Sequence, residues 1–426
     1  MSPIDDHPMR YKLANELHAR PFPAIAAPSH VVFLAIKREE DAANRNKAAD
    51  LAHLLDLLDR HGAAHPPPDA THYSGQIGRY MLKWESHSEF VTYSVFCEGL
   101  SARPFDPAAF DVFPEDWLAA APGVRVTSAL IHIDHQPEEG TAIARLREWF
   151  VPESLAVSAV LDRSAVLAGD FRIDEAGHMR FAIFVAPEVG VQRIGRIVQR
   201  ICEIETYKAM SMLGFHRARS LSKPMAEIGA RLGALTEEMA DEISAPDSTL
   251  TALLPISAEL EHLMAQTSYR FGATGAYAAI VAQRVEILRE ERFEGAQTFG
   301  EFMMRRYDPA MRTVNSSERQ LRNMAKRALR AGELLRTRVD VERSAQNQKL
   351  LESMDRRADL QLRLQKTVEG LSVVAISYYA VNLGAYALAP LAKVAGIEKI
   401  WLTAGLTPLV VLLVWMVIRK IRKSVH

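Results

Sequence analysis

The chain has 426 residues, of which 24% are charged, and its formal net charge at pH 7 is −1. A chain of this length exceeds the usual size of one hydrophobic core, so we expect more than one structural part. The near-zero net charge argues against a nucleic-acid binder, which normally carries a basic excess. The two cysteines, Cys97 and Cys202, make neither a disulfide framework nor a zinc site, and they fit a reducing compartment.

The N-terminal segment predicts no signal peptide, because it lacks an apolar core and a small-residue cleavage site. Its densest polar group is the segment NELHARPFP at residues 15–23, which contains Glu16, His18 and Arg20. Two interpretations stay open for these three side chains. They form a ligand-binding set, or they tie an N-terminal segment to the following domain by hydrogen bonds.

Residues 1–188 predict an α/β domain, and the whole chain predicts an α+β fold followed by purely helical parts. A compact apolar strand at 31–36 precedes a helix at 39–60 whose leucines share one stripe. Alternating runs at 78–85 and 90–97 flank a polar turn and predict a β-hairpin. Further strands are predicted at 127–134, 155–161, 164–173 and 178–186.

Residues 189–315 predict a helical region without further strands. Prolines are expected to interrupt its helices at four places, namely Pro224, Pro246, Pro255 and Pro309. Gly272 and Gly275 are similar to a fragment of a phosphate-binding loop, but no strand precedes them. Close helix packing is the favoured interpretation of this glycine pair.

Residues 316–370 predict one long stalk helix, with Ser316 or Ser317 as its N-cap and no proline before Pro390. Leu321, Ala328 and Leu335 recur at seven-residue spacing, which is typical of a coiled-coil or packing seam. A helix of this length cannot bury itself. The sequence therefore predicts packing on preceding helices, on symmetry mates, or on both, and a homo-oligomer is the expected assembly.

Two uncharged apolar segments follow, at residues 371–392 and 400–418. At about 1.5 Å of rise per residue, each is long enough to cross a hydrocarbon core of roughly 30 Å. The short connection between them requires an antiparallel hairpin. The lipid bilayer is therefore a predicted partner of this chain.

Basic residues predict the orientation of the hairpin. The tail at 419–426 carries four of them and the approach to the first span four more, whereas the loop has two and one acid. The positive-inside rule then places both termini and the α/β domain in the cytoplasm. The basic residues are Arg356, Arg357, Arg363 and Lys366 before the first span, Lys393 and Lys399 in the loop, and Arg419, Lys420, Arg422 and Lys423 in the tail.

Motifs for catalysis are missing from the sequence. It has no phosphate-binding loop with a lysine, no nucleophile elbow and no paired Cys-x2-Cys, so no enzyme and no catalytic residue are predicted. Two histidine pairs, His132 with His135 and His61 with His65, invite a metal site. Neither pair has the usual carboxylate or cysteine partners, so solvent-facing loop histidines are favoured, and no metal ligand is assigned.

Four segments carry a resemblance to a known family. They are NELHARPFP (15–23), EGAQTFGEFMMRRYDPAMRT (294–313), LLRTRVDV (334–341) and MDRRADLQLRLQKTVEGLSVVAISYYAVNL (354–383). In these segments the chain resembles an uncharacterised bacterial family of membrane-anchored proteins of unknown function. The resemblance implies a two-pass protein of the bacterial inner (plasma) membrane, and it implies no reaction.

The order of the predicted parts is similar to that of CorA-type divalent-cation channels. Those channels carry Gly-Met-Asn at the outer end of the first span, often preceded by Tyr, whereas this chain has Tyr379-Ala380-Val381-Asn382. The resemblance implies Asn382, Tyr379 and Tyr378 as pore-lining candidates and a divalent cation as the transported ion, with no bound cofactor. Asn382 departs from the pattern because it lies inside the span rather than at its outer end.

Two hypotheses of function follow from this architecture. In the first, the protein is a homo-oligomeric transporter or channel for a divalent cation. In the second, it is a membrane-tethered cytoplasmic sensor, scaffold or regulatory module without transport or enzymatic activity. A ring of subunits around an axial path would favour the first, and a monomer or dimer the second.

Overall fold

The computed structural model describes residues 4–16, 22–39, 45–138, 140–240, 245–394 and 398–425. The chain forms two compact units. The first comprises Met1–Asp241 and Thr251–Ala331, and the second comprises Glu242–Leu250 and Gly332–His426.

The first unit is built on one mixed sheet of nine strands within the described residues, in the order β2-β3-β4-β1-β5-β8-β7-β6-β9. Only β5 and β8 pair in parallel, and the other neighbours are antiparallel. In chain order the strands are β1 (Ser29–Lys37), β2 (His72–Ile77), β3 (Tyr80–Ser86), β4 (Phe90–Glu98), β5 (Val124–His135), β6 (Ala156–Val160), β7 (Ala165–Gly169), β8 (Met179–Val185) and β9 (Glu291–Arg292).

The predicted N-terminal sheet domain is confirmed, including the hairpin of β3 and β4. The expectation that strands end before residue 189 is wrong, because β9 pairs with β6 at the edge of the sheet. A two-residue strand has no alternating pattern of its own, since only its hydrogen bonds to β6 define it. The edge strand β2 was likewise not predicted.

The two faces of the sheet are covered by different helices. Helices α2 (Lys47–Arg60) and α3 (Glu115–Ala119) pack on one face, where Leu54, Leu57 and Trp117 are fully buried in a large apolar cluster. Helix α5 (Val191–Glu238) packs on the other face. Successive strand residues point to opposite faces of the sheet, so the side chains beneath α5 alternate along each strand with those on the opposite face.

Two of the prolines expected to break helices lie inside them. Pro224 lies within α5 and Pro255 within α6. An interior proline costs about 3 kcal/mol, and the buried neighbours Leu221 and Met225 offset that cost by packing. The remaining helices are α1 (Arg10–Glu16), α4 (Thr141–Trp149), α6 (Pro246–Ile287), α7 (Phe299–Arg306), α8 (Asp308–Val394) and α9 (Lys399–Val425).

The long helix α8 begins at Asp308, so the predicted N-cap at Ser316 or Ser317 is wrong. Pro309 stands in its first turn, where a missing N–H leaves no hydrogen bond unmade, and therefore starts the helix rather than separating it from the stalk. Within the first unit, Leu321 and Ala328 of the predicted seam are buried.

The close helix packing predicted at Gly272 and Gly275 is also wrong, because a Cβ at either position would meet open space. The close approach lies at Gly214 of α5 instead, where an added Cβ would come 2.1 Å from the Thr274 Oγ1 atom of α6. The hydroxyl of Thr274, not a glycine, is therefore the α6 group at this contact.

The second unit contains two helices that are long and apolar enough to cross a membrane, which are the C-terminal part of α8 and α9. Their large apolar side chains are mostly exposed. The helices approach each other at Gly384, where an added Cβ would lie 2.8 Å from the Leu406 Cδ2 atom. Glycine at this position thus permits the contact.

Candidate functional site

A cavity of about 260 Å³ lies in the first unit between the sheet and α5. Its floor is formed by β1, β3 and β4, its roof by α5, and Arg284 of α6 and Pro23 complete the wall. This is the volume of a small organic molecule, so the cavity is the candidate site of this domain.

The floor of the cavity is polar because of the strand register. Lys83 pairs with Ser94, and Ser94 with Phe33, so these three residues form a row across the sheet. Glu85 and Thr92 form the next row. Lys83, Thr92 and Ser94 are all buried beneath α5. Buried polar side chains require partners, which a ligand or the surrounding protein must supply.

Other side chains of the protein supply some of these partners through a chain of contacts across the cavity. The Lys83 Nζ atom lies 3.3 Å from Glu85 Oε1 and donates to Gln199 Oε1 at 2.9 Å. Gln199 Nε2 donates to Glu203 Oε1 at 3.0 Å, and Arg284 donates to the other oxygen of Glu203. Two cations and two carboxylates therefore line the cavity in fixed positions.

Aromatic rings form the end of the cavity near the β3–β4 turn. His87 stacks on Phe90 with ring centroids 4.4 Å apart, and Tyr207 of α5 stands edge-on to Phe90. The turn itself is held by Arg45, which donates to Ser86 Oγ and His87 O at 2.8 Å each and forms a buried ion pair with Asp50. The turn that carries His87 is thus fixed from both sides.

The segment at residues 22–28 runs along the start of α5. Ile25 donates its N–H to Val191 O at 3.2 Å. A Cβ at Gly195 would lie 1.7 Å from Pro23 O, so only glycine permits this approach. Because Pro23 lines the cavity, Gly195 sets the position of one wall.

The titratable groups around the cavity suit binding better than nucleophilic chemistry. Burial raises the pKa of the Cys202 thiol, so this cavity-lining group stays protonated and unreactive. Burial likewise raises the pKa of Cys97 to about 12. Fixed ion pairs and hydroxyls recognise polar ligands, while the protonated thiol offers no thiolate for attack.

The candidate ligand residues of the N-terminal segment cannot be placed against this cavity. His18 and Arg20 lie outside the described residues, and so does the side chain of Glu16. Whether these three residues bind a ligand or tie the N-terminal segment to the domain therefore stays a prediction.

The pore-lining candidates lie in the second unit. Tyr378 and Asn382 line a groove of about 490 Å³ between α8 and α9, together with Ser377, Thr403 and Thr407. Asn382 donates through Nδ2 to Tyr378 O at 3.1 Å, one turn back on its own helix. Tyr379 does not line this groove, and its ring is largely exposed beside that of Tyr378.

The solvent-facing loop position predicted for the histidine pairs is wrong for His132. This residue is buried within β5 beside Trp149, because its side chain points to the packed face of the sheet, whereas His135 is exposed at the end of the same strand. His65 lies 2.6 Å from Asp59 Oδ1, without His61. Among the described residues no group of three or more His, Cys, Asp or Glu side chains could hold a metal ion.

The fold and the cavity together define a protein with a mixed-sheet domain and two C-terminal helices of membrane-spanning length. The family described as "Protein of unknown function (DUF3422)" matches residues 5–425, and the chain belongs to this family. The expected membership of an uncharacterised family is thereby confirmed. No curated protein matches the chain.

The cavity residues are not evident from the sequence. The alternation of Leu82 and Trp84 with Lys83 and Glu85 is typical of a strand with one solvent-facing side. The apolar residues along α5 are the signal in the sequence, because they predict a helix that packs against another part of the fold. Where α5 packs over β3, the polar face of that strand is buried and lines the cavity.

Proposed function

We propose that this protein is a membrane-anchored sensor or regulatory module whose sheet domain binds a small polar ligand in the cavity beneath α5. The observation that carries the proposal is the buried polar lining of that cavity, with Lys83 and Glu203 held in fixed positions. The apolar hairpin supplies the anchor. No transport or enzymatic activity is part of this proposal.

The surface of the hairpin supports an anchor. Asn382 donates one amide hydrogen to Tyr378 O, and the hydroxyls of Thr403 and Thr407 donate to Lys399 O and Thr403 O. These bonds hold the polar side chains against their own helices. The exposed outer faces of both helices are apolar, as lipid requires.

The proposal retains a homo-oligomer in the bacterial inner membrane, with both termini cytoplasmic. The basic flanks of the spans support this orientation. A reporter fused after His426 should be cytoplasmic, and one inserted at Gly396, which lies outside the described residues, should be external. A cytoplasmic reporter at Gly396 would reject the two-pass hairpin.

Ligand binding is tested on the full-length protein in detergent, by thermal shift with a defined panel of amino acids, organic acids, nucleotides and sugar phosphates. At least one compound should raise the melting temperature of the wild type but not that of Ser94→Phe, because the larger ring fills the cavity. The matched control is Ser220→Phe, an exposed serine on α5. A panel with no stabilising compound would contradict the proposal.

Divalent-cation transport is the second candidate. It is favoured by the continuity of α8, because one helix contains both the stalk at 316–370 and the first span at 371–392. The test is flux of magnesium, zinc, cobalt and nickel into proteoliposomes, comparing wild type with Asn382→Leu. Flux that disappears in the variant while the oligomer persists would support a pore, and no flux in the wild type would exclude it for these ions.

A further inference from the structure

Five arginines lie near one another around the N-terminal part of α5 and the C-terminal end of α6, and we call them the arginine cluster. Arg193, Arg196 and Arg200 follow one stripe of α5, at spacings of three and four residues. Arg284 lies in the last turn of α6, and Arg289 follows that helix. Arg200 has Arg196, Arg284 and Arg289 as electrostatic neighbours, so the charges lie within each other's influence.

Two carboxylates oppose these five cations. Asp162 lies 3.3 Å from Arg193 Nη2 and 2.9 Å from Arg289 Nη2, and Glu203 is paired with Arg284. Three positive charges are therefore in excess. Like charges held together raise the free energy of the site, and a bound anion would lower it.

Asp162 is held in place by an unusual turn between β6 and β7. Leu161, Asp162 and Arg163 all have positive φ, at 50°, 59° and 60°. Such a run is unfavourable for residues with side chains and persists only where the surroundings enforce it. The turn thus places the Asp162 carboxylate beside Arg193 and Arg289, and Arg196 and Arg200 form no ion pair with it among the described residues.

Arg200 is the member of the cluster that most clearly lacks a partner. Its Nη1 atom is buried and has no hydrogen-bond partner among the described residues. Burial and the neighbouring arginines also lower the pKa of its guanidinium. A buried donor left unpaired is costly, which indicates that an acceptor belongs there.

The arginine cluster adjoins the cavity. Arg284 and Glu203 line the cavity and are at the same time electrostatic neighbours of Arg200. An anion held by Arg200 would therefore lie next to a molecule seated over Lys83 and Ser94. Arg284 is thus the arginine that belongs both to the cluster and to the cavity lining.

We propose that the cavity ligand carries a phosphate group, and that Arg196, Arg200 and Arg284 bind this group while the remainder of the ligand occupies the cavity. This inference rests on the proposed ligand-binding function and names its substrate class. A phosphate monoester brings about two negative charges and several acceptor oxygens, which match the excess charge and the forked guanidinium donors. The phosphate belongs to a soluble metabolite or to a lipid headgroup.

The experiment uses full-length protein in phosphatidylcholine nanodiscs, with inorganic pyrophosphate, glycerol 3-phosphate and added phosphatidic acid as separate probes. We expect binding of at least one probe to the wild type, and loss of one bidentate contact in Arg200→Gln should weaken it about tenfold. Arg200→Lys, which keeps the charge but not the fork, should fall between the two. The matched control, Arg319→Gln on exposed α8 surface, should bind as the wild type does.

Binding of glycerol 3-phosphate or pyrophosphate without a response to phosphatidic acid identifies a soluble ligand, and a response to phosphatidic acid identifies a lipid headgroup. Failure of all three probes, or unchanged affinity in both Arg200→Gln and Arg196→Gln, overturns the inference. A panel compound that loses its binding in Ser94→Phe but keeps its wild-type affinity in both Arg200→Gln and Arg196→Gln overturns the phosphate assignment and leaves the proposed function standing. If Ser94→Phe also has no effect on any compound, both proposals fail.

Discussion

Polar side chains line both the groove of the hairpin and the cavity of the first unit, but their hydrogen bonds are made differently. In the hairpin, Asn382, Thr403 and Thr407 bond to the backbone one turn away on their own helix. In the cavity, Lys83 bonds to Gln199, which is 116 positions away in sequence, and Arg284 to Glu203, 81 positions away. Local bonds survive when tertiary packing is lost, whereas long-range bonds exist only in the complete fold.

Anchoring in a membrane and binding a ligand require different kinds of hydrogen bond. A span must satisfy its polar groups before any neighbour is present, because hydrocarbon offers no hydrogen bonds. A cavity requires the reverse, since donors and acceptors must come from distant elements to surround a ligand. Substitutions in the cavity should therefore lower the free energy of unfolding by more than substitutions in the hairpin do.

Lys83→Met should give the largest loss of stability. It leaves Glu85 and Gln199 without their buried cation, and breaking such a pair costs about 3 kcal/mol. The double variant Lys83→Met/Glu85→Leu should recover most of the loss, because apolar replacement of both partners is close to neutral.

These stabilities are measured by denaturant unfolding, followed by tryptophan fluorescence. A Trp401→Phe/Trp415→Phe background leaves only the three tryptophans of the first unit as reporters, Trp84, Trp117 and Trp149. Equal stability of Lys83→Met and wild type would mean that the charge network across the cavity is solvated rather than buried.

Gly195→Ala should cost about 2 kcal/mol, because its methyl group overlaps Pro23 O and the segment at 22–28 must shift. The matched control is Gly233→Ala on the same helix, where an added Cβ meets nothing within 4 Å. That change should stabilise α5 by roughly 0.5–1 kcal/mol. A result of the same sign for both glycines would show that Pro23 does not rest on α5.

The first unit should lose stability as the pH falls from 7 to about 5.5. Burial lowers the pKa values of His53, His132 and His178, so the unfolded chain binds protons that the fold excludes. Above the unfolded-state histidine pKa of about 6.5, these groups take nothing from the free energy of unfolding. Below that pH they lower it, by at most about 1.4 kcal/mol per group and pH unit.

His132→Phe isolates one of these groups, since the ring stays beside Trp149 but no longer titrates. Its unfolding free energy should vary less with pH than that of the wild type. Burial raises the pKa values of Asp50 and Glu290, which opposes the trend equally in both proteins. Parallel pH profiles would assign the acid sensitivity to groups other than His132.

Asn382→Leu should have the smallest effect, about 1 kcal/mol or less, because its side-chain amide donates to Tyr378 O within its own helix. The measurement is unfolding of the hairpin by sodium dodecyl sulfate in bicelles, followed by helical circular dichroism. Thr407→Val is the parallel change on α9. A loss as large as that of Lys83→Met would remove the distinction between the two regions.

Much of the fold could be predicted from local patterns. The uncharged lengths of 371–392 and 400–418 predicted two helices of membrane-spanning length. A compact apolar run located β1, and alternation located β3 and β4. Prolines misled where packing outweighed them, as at Pro224 and Pro255. The sequence is a poor guide at these two prolines because packing against distant parts of the chain keeps the helices continuous.

The sequence by itself determined that the chain has a strand-rich N-terminal domain and an apolar C-terminal hairpin, since periodicity and hydrophobic length are properties of neighbouring residues. Only the tertiary structure decided that the polar side of β3 and β4 is buried under α5, and that arginines from α5 and α6 converge beside it. The strand order and the pairing of β5 with β8 follow from contacts between distant segments. The candidate site consists of such contacts, so it appears only when the chain is folded.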